Sequence, residues 1–82
     1  MMIVTVDVPM MGDRYEFQFD ENTYVAVLIE EFIDMICRKN GCAFSGDINR
    51  MLLWNADSRC LLRRDRTAAA NGIENGQTLI LA

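Results

Sequence analysis

The sequence predicts an α+β fold: a mixed β-sheet with one helix packed across one face. Three observations predict it. Runs at the two ends of the chain, residues 2–8 and 78–81, alternate or concentrate β-branched and aliphatic residues as strands do. A single apolar stripe with helical spacing lies between them. Turn-forming residues separate every run.

Met2, Val4, Val6 and Val8 share one face of the first run, and Ile3, Thr5 and Asp7 share the other. Pro9 stops this strand, and Met10-Met11-Gly12-Asp13 form a turn. From Arg14 to Asp20 the alternation resumes, with Tyr15, Phe17 and Phe19 inward and Glu16 and Gln18 outward. The two runs therefore make a hairpin. Val25, Leu28, Ile29, Phe32, Ile33 and Ile36 then follow helical spacing and predict one amphipathic helix. Asn22 or Thr23 is the expected N-cap, Arg38 and Lys39 suit the negative end of the dipole, and Asn40-Gly41 ends the helix. Glu30, Glu31 and Asp34 form its wet face.

Residues 42–49 read as a loop anchored by Phe44 and Ile48. Met51–Trp54 and Arg59–Leu62 are two short strands around an Asn-Ala-Asp-Ser turn. Residues 63–72 read as a loop with one helical turn, Ile73 as an apolar plug, and Thr78–Leu81 as the last strand, with Leu79 and Leu81 on one face. The order is ββαββ(3-10)β. Crossing from a hairpin through a helix to further strands places the first and last strands side by side and parallel at the centre, which is the β-grasp arrangement.

Eighty-two residues make one domain, 1–82. Area scaling gives roughly 5,000 Å² accessible when folded, enough burial for one thin core. There is no His, and the three cysteines are unevenly spaced, so no catalytic triad, structural zinc or cofactor site is expected, and the chain is not read as an enzyme. The cysteines are expected reduced, with Cys37 or Cys60 serving as small core residues. No apolar run is long enough for a membrane span. The net charge is −4, with the acidic excess in residues 1–49 and a small basic excess after them, which argues against nucleic acid and suits a cytoplasmic protein that docks other proteins.

At this level the chain resembles ubiquitin. Arg50 before an apolar strand, Leu62, Arg66-Thr67, the plug Ile73 and the opening Thr78-Leu79 of the last strand carry the resemblance, which with the hairpin and helix spans nearly the whole sequence. The sequence given ends at Ala82 without the Gly-Gly tail of modifiers and sulfur carriers, so conjugation and sulfur transfer are not the expected roles. The alternative is a truncated modifier or sulfur carrier. The strand M-I-V-T-V-D-V, the Trp54 region and the ending G-I-E-N-G-Q-T-L-I-L-A also resemble the YukD-like small ubiquitin-like proteins. That resemblance implies a cytosolic accessory of bacterial type VII secretion, docking onto a membrane-embedded component.

Alternation places Met51 and Leu53 inward and Leu52 and Trp54 outward, together with Ile80 and Ala82 on the sheet face that the helix leaves open. Met10 and Met11 are expected at the same end. These six residues are the candidate protein-binding patch, for a partner protein or a second copy; the resemblance to ubiquitin, whose corresponding surface docks partners, supports Leu52, Ile80 or Ala82, and Met10 or Met11. Arg59, Arg63, Arg64 and Arg66 form a second candidate, a basic edge for an acidic segment or an anionic lipid surface.

Overall fold

A computed structural model describes residues 1–41, 43, 44 and 46–82. Strands β1 (Met2–Val8) and β2 (Asp13–Phe19) form the hairpin, helix α1 spans Val25–Asn40, and β3 (Leu53–Asn55), β4 (Cys60–Leu61) and β5 (Thr78–Leu81) complete a five-stranded sheet. The sheet order is β2-β1-β5-β3-β4. β1 and β5 are parallel at the centre, and the remaining pairs are antiparallel. The accessible surface of 5171 Å² matches the value expected from chain length.

The alternation pattern holds throughout. Met2, Val4, Val6 and Val8 are buried, as are Tyr15, Phe17 and Phe19 opposite them and Leu79 and Leu81 on β5. All six stripe residues of α1 are buried, and Leu53, Leu62, Ala68 and Ile73 close the core. Phe32 lies at the aromatic centre of this core, its ring 4.5 Å from Phe17 and 6.0 Å from Phe19. Gly41 ends α1 at φ 65°, the left-handed conformation that costs glycine least. Just before it, the Asn40 side-chain amide donates to the Ile36 carbonyl and to the Tyr15 hydroxyl, tying the helix end to β2.

The start of α1 differs from the expectation. Its N-cap is Tyr24, and no side chain caps it. The N–H groups of Val25 and Ala26 donate instead to the carbonyls of Arg66 and Arg64. Ala68 and Ala69 return the favour through their N–H groups, to the carbonyls of Thr23 and Glu21. Backbone from the loop before Ile73 therefore satisfies the free N–H groups that a helix start always leaves.

That loop is a series of turns. The one-turn 3₁₀ helix sits earlier than expected, at Ile48–Arg50, where the Asp47 carboxylate accepts from the Asn49 N–H. Residues 63–72 are organised by one side chain. Asn71 accepts from the Arg63 N–H at 2.7 Å and donates to the Arg63 and Thr67 carbonyls at 3.0 and 2.9 Å. Asn71→Ala is expected to lower stability by about 1–3 kcal/mol, since it strands backbone groups in a loop that caps α1. Urea unfolding measures this, and an unchanged midpoint would contradict the role assigned to Asn71.

Cys60 is exposed, not a core residue, because β4 is a two-residue edge strand with both side chains in solvent. Cys37 is half-buried against the core. Cys42 lies outside the described residues. Of the two loop anchors, Ile48 packs half-buried on the core and Phe44, outside the buried core, stays 36% exposed.

Candidate protein-binding face

β-Pairing aligns side chains in rows across the sheet, and two rows meet on the face opposite α1. Asp7 is opposite Ile80, Ile80 opposite Trp54, and Trp54 opposite Leu61. Beyond them, Leu52 and Ala82 exchange both backbone hydrogen bonds, at 2.6 and 2.9 Å. Directly opposed residues on a sheet point to the same side. Leu52, Trp54, Leu61, Ile80 and Ala82 are thereby brought together, with Leu52, Trp54 and Leu61 still 38%, 37% and 48% exposed. The strand phase read from the sequence is correct: Leu53 is buried and Leu52 and Trp54 are not.

A shallow cleft of about 420 Å³ opens within this patch, lined by Trp54, Asn55, Ala56, Arg59, Ile80 and Ala82. Its lining is almost wholly apolar, and Arg59 is the one charged residue among those that line it. Further along the same row the Asp7 carboxylate faces Arg14 at 3.8 Å, and the rest of the β1–β2 half carries Thr5, Glu16 and Gln18 with one exposed aliphatic residue, Ile3, opposite Gln18. The open face is thus mainly apolar on β5-β3-β4 and mainly polar on β1-β2.

Leu61 was not among the sequence candidates. The signal was present, since Leu62 inward in a short strand puts Leu61 outward beside Trp54.

Met10 and Met11 do not join the patch. Both line a small groove of about 80 Å³ on the helix side, with Ile33, Ile36, Phe44 and Met51. The alternation that orients β1 ends at Pro9, so the turn beyond is free to fold toward α1. A larger helix-side groove, about 540 Å³, runs along Ile33, Cys37 and Phe44, and the Asp34–Arg38 ion pair borders it.

The four arginines do not form one edge. The Arg64 guanidinium is half-buried and donates to the Met51 carbonyl at 2.6 Å, so it braces the segment entering β3. Arg63 holds the Asp65 carboxylate with two hydrogen bonds of 3.2 Å. That contact, with the positive charge of Arg63 and Arg66 nearby, keeps the Asp65 carboxyl below the usual carboxylate range. Arg66 is exposed at the start of α1, where its carbonyl is used. Arg59 alone borders the apolar cleft, in a turn where its φ of 58° is unusual for a non-glycine residue. Among the described residues, no group of three or more acidic or cysteine side chains is placed to hold a metal ion, and no helix is long and apolar enough to cross a membrane.

A sheet in this order with one helix on one face defines the ubiquitin-like β-grasp fold. Solved structures of that class superpose closely on this chain. The ubiquitin-like domain of an Arabidopsis thaliana protein aligns over 99% of this chain and 74% of its own, with a TM-score of 0.73 and 20% identity. An N-terminal ubiquitin-like domain from a second protein aligns over 99% and 72%, with a TM-score of 0.66 and 25% identity. The ubiquitin of Caldiarchaeum subterraneum aligns over 98% and 89%, with a TM-score of 0.69 and 15% identity. No family model matches the sequence, and no curated protein matches it. At these identities the likeness is one of fold, and function has to be argued from the face just described.

Proposed function

We propose that this chain is a non-enzymatic, ubiquitin-like protein-binding module that docks its partner through Leu52, Trp54, Leu61, Ile80 and Ala82. The observation that carries the proposal is the pairing of Trp54 with both Ile80 and Leu61, which leaves an apolar cleft on the sheet face away from α1. Contiguous exposed apolar residues rimmed by charge are characteristic of interaction sites. Trp is a frequent interface anchor, and an aliphatic side chain buried there contributes about 1.5–3 kcal/mol. The finer reading is a cytosolic accessory of bacterial type VII secretion that regulates or docks onto its membrane-embedded component. Its support is the resemblance of the Trp54 region and the last strand to the YukD-like proteins.

The test is capture of partners from the native cell by the wild-type chain and by the Leu52→Asp, Ile80→Asp double variant. Both positions are on the open face, so the variant is expected to stay folded by circular dichroism and to lose its partners. Partners retained by a folded double variant would remove the patch from the function. Recovery of a membrane ATPase of the secretion system with the wild type supports the finer reading; its absence among partners lost in the variant would count against it.

A further inference from the structure

β2 is the outermost strand on its side of the sheet, and its outer edge has no partner strand among the described residues. The groups on that edge can be identified. The Thr5 N–H donates to the Gln77 carbonyl, the Ile3 carbonyl accepts from Gly76, and the Ile3 N–H donates to the Asn75 side chain, so the odd residues of β1 face β5. The even residues of β1 then bond β2, through Phe19, Phe17, Tyr15 and Asp13. The backbone groups of Arg14, Glu16 and Gln18 point away from the sheet. The Asp13 carboxylate already accepts the Arg14 N–H, at 2.8 Å. Among the described residues, the N–H and the carbonyl of Glu16 and of Gln18 have no partner.

Charged edge strands usually resist pairing. Here the outward residues are one base, Arg14, one acid, Glu16, the neutral Gln18 and, just past the strand end, the acid Asp20, and their order favours one register. An antiparallel pair centred on Glu16 sets Glu16 against its own copy. One centred on Tyr15 needs the Arg14 N–H that Asp13 occupies. One centred on Phe17 sets Glu16 against Gln18 of the second copy, uses all four of their free backbone groups on each side of the axis, and places Arg14 opposite Asp20.

We propose that the outer edge of β2 pairs with the same edge of a second copy of this chain in that Phe17-centred register, giving a continuous ten-stranded sheet. The two-fold axis stands normal to the sheet, so both helices lie on one face and both apolar patches on the other, one at each end. The dimer leaves the proposed docking patches free and presents two of them to the same partner surface, which raises avidity without any new contact.

Sedimentation velocity of the whole chain, from roughly 10 μM to about 1 mM, tests this, because interfaces this small are weak. A concentration-dependent monomer–dimer equilibrium is expected. Gln18→Pro removes one free N–H per copy while leaving the β1–β2 ladder intact, and should lower the association constant about thirtyfold. Arg14→Asp and Asp20→Arg should each weaken the dimer, and the double variant should restore it. A monomer at every concentration overturns the proposal. So does a double charge variant that stays as weak as its parents. A dimer that survives Gln18→Pro and is lost in Trp54→Asp puts the second copy on the open face, and overturns it as well. The charge variants decide the matter should Gln18→Pro fail to fold.

Discussion

Phe32→Ala is expected to lower the unfolding free energy by about 3–5 kcal/mol, as truncation of a fully buried aromatic does. Phe32 is 2% exposed, its ring packs on Phe17 and Phe19, and it belongs to the helix stripe that seals the sheet. Alanine there removes the transfer energy of the ring and leaves a cavity bounded by β2, whose rings have no other aromatic on α1 to meet. A domain of this size has only about 5–15 kcal/mol in total, so the variant sits close to the threshold of folding. Phe32→Leu, which refills most of the space, should cost less than half as much. Urea unfolding of both variants measures the effect. A loss below about 1 kcal/mol for Phe32→Ala would mean that the helix and sheet can collapse onto the gap, and that the core is looser than its packing indicates.

What the sequence made legible was whatever repeats with a period. Alternation located β1 and β2, and the six-residue stripe located α1, because each buried side chain in them obeys the same geometric rule as its neighbours. The same rule set Leu52 and Trp54 on the open face. Features made by contact between distant segments carry no such period. The start of α1 is capped by carbonyls of Arg64 and Arg66, some forty residues further on, so Asn22 and Thr23 were the reasonable but mistaken choice. Arg64 looked like its neighbouring arginines until its guanidinium reached the Met51 carbonyl. Met10 and Met11 follow the proline that ends the alternating run, and nothing local decides whether such a turn folds over the open face or beneath it. The site was therefore legible on its strands and illegible at its turns.

The turn between β3 and β4 shows how much depends on such a contact, and it carries the second large expected effect. Asn55 is the one buried polar side chain among the described residues, 1% exposed, on the inward face opposite Cys60. Its Oδ1 accepts from the N–H groups of Asp57 and Ser58 at 3.0 and 3.3 Å, and its Nδ2 donates to Gln77 Oε1 at 2.9 Å. That same Gln77 oxygen accepts from the Glu74 N–H, and the Asp57 carboxylate accepts from the Thr78 N–H at 2.7 Å. One amide thus joins the β3–β4 turn to the entry of β5, the two elements that hold Trp54, Ile80 and Arg59 in register. Asn55→Leu keeps the volume and removes the three bonds made by the Asn55 amide, leaving the Asp57 and Ser58 N–H groups without that partner, and should cost about 2–4 kcal/mol. Asn55→Asp keeps the acceptor but buries a carboxylate beside the Gln77 oxygen. Burial and that oxygen disfavour the charged form and the Asp57 and Ser58 N–H donors favour it; with burial nearly complete the first two are expected to win and raise the pKa, so the Asp variant is expected to be most stable at low pH and to lose stability as pH rises through the raised value. The wild type carries no such group at position 55. Urea midpoints of the three proteins across the acid range, with Trp54 fluorescence as the probe of the cleft, separate this network from simple packing. If Asn55→Asp tracks the wild type at every pH, the amide does not hold the turn, and the register of the proposed docking face must be set by the strands alone.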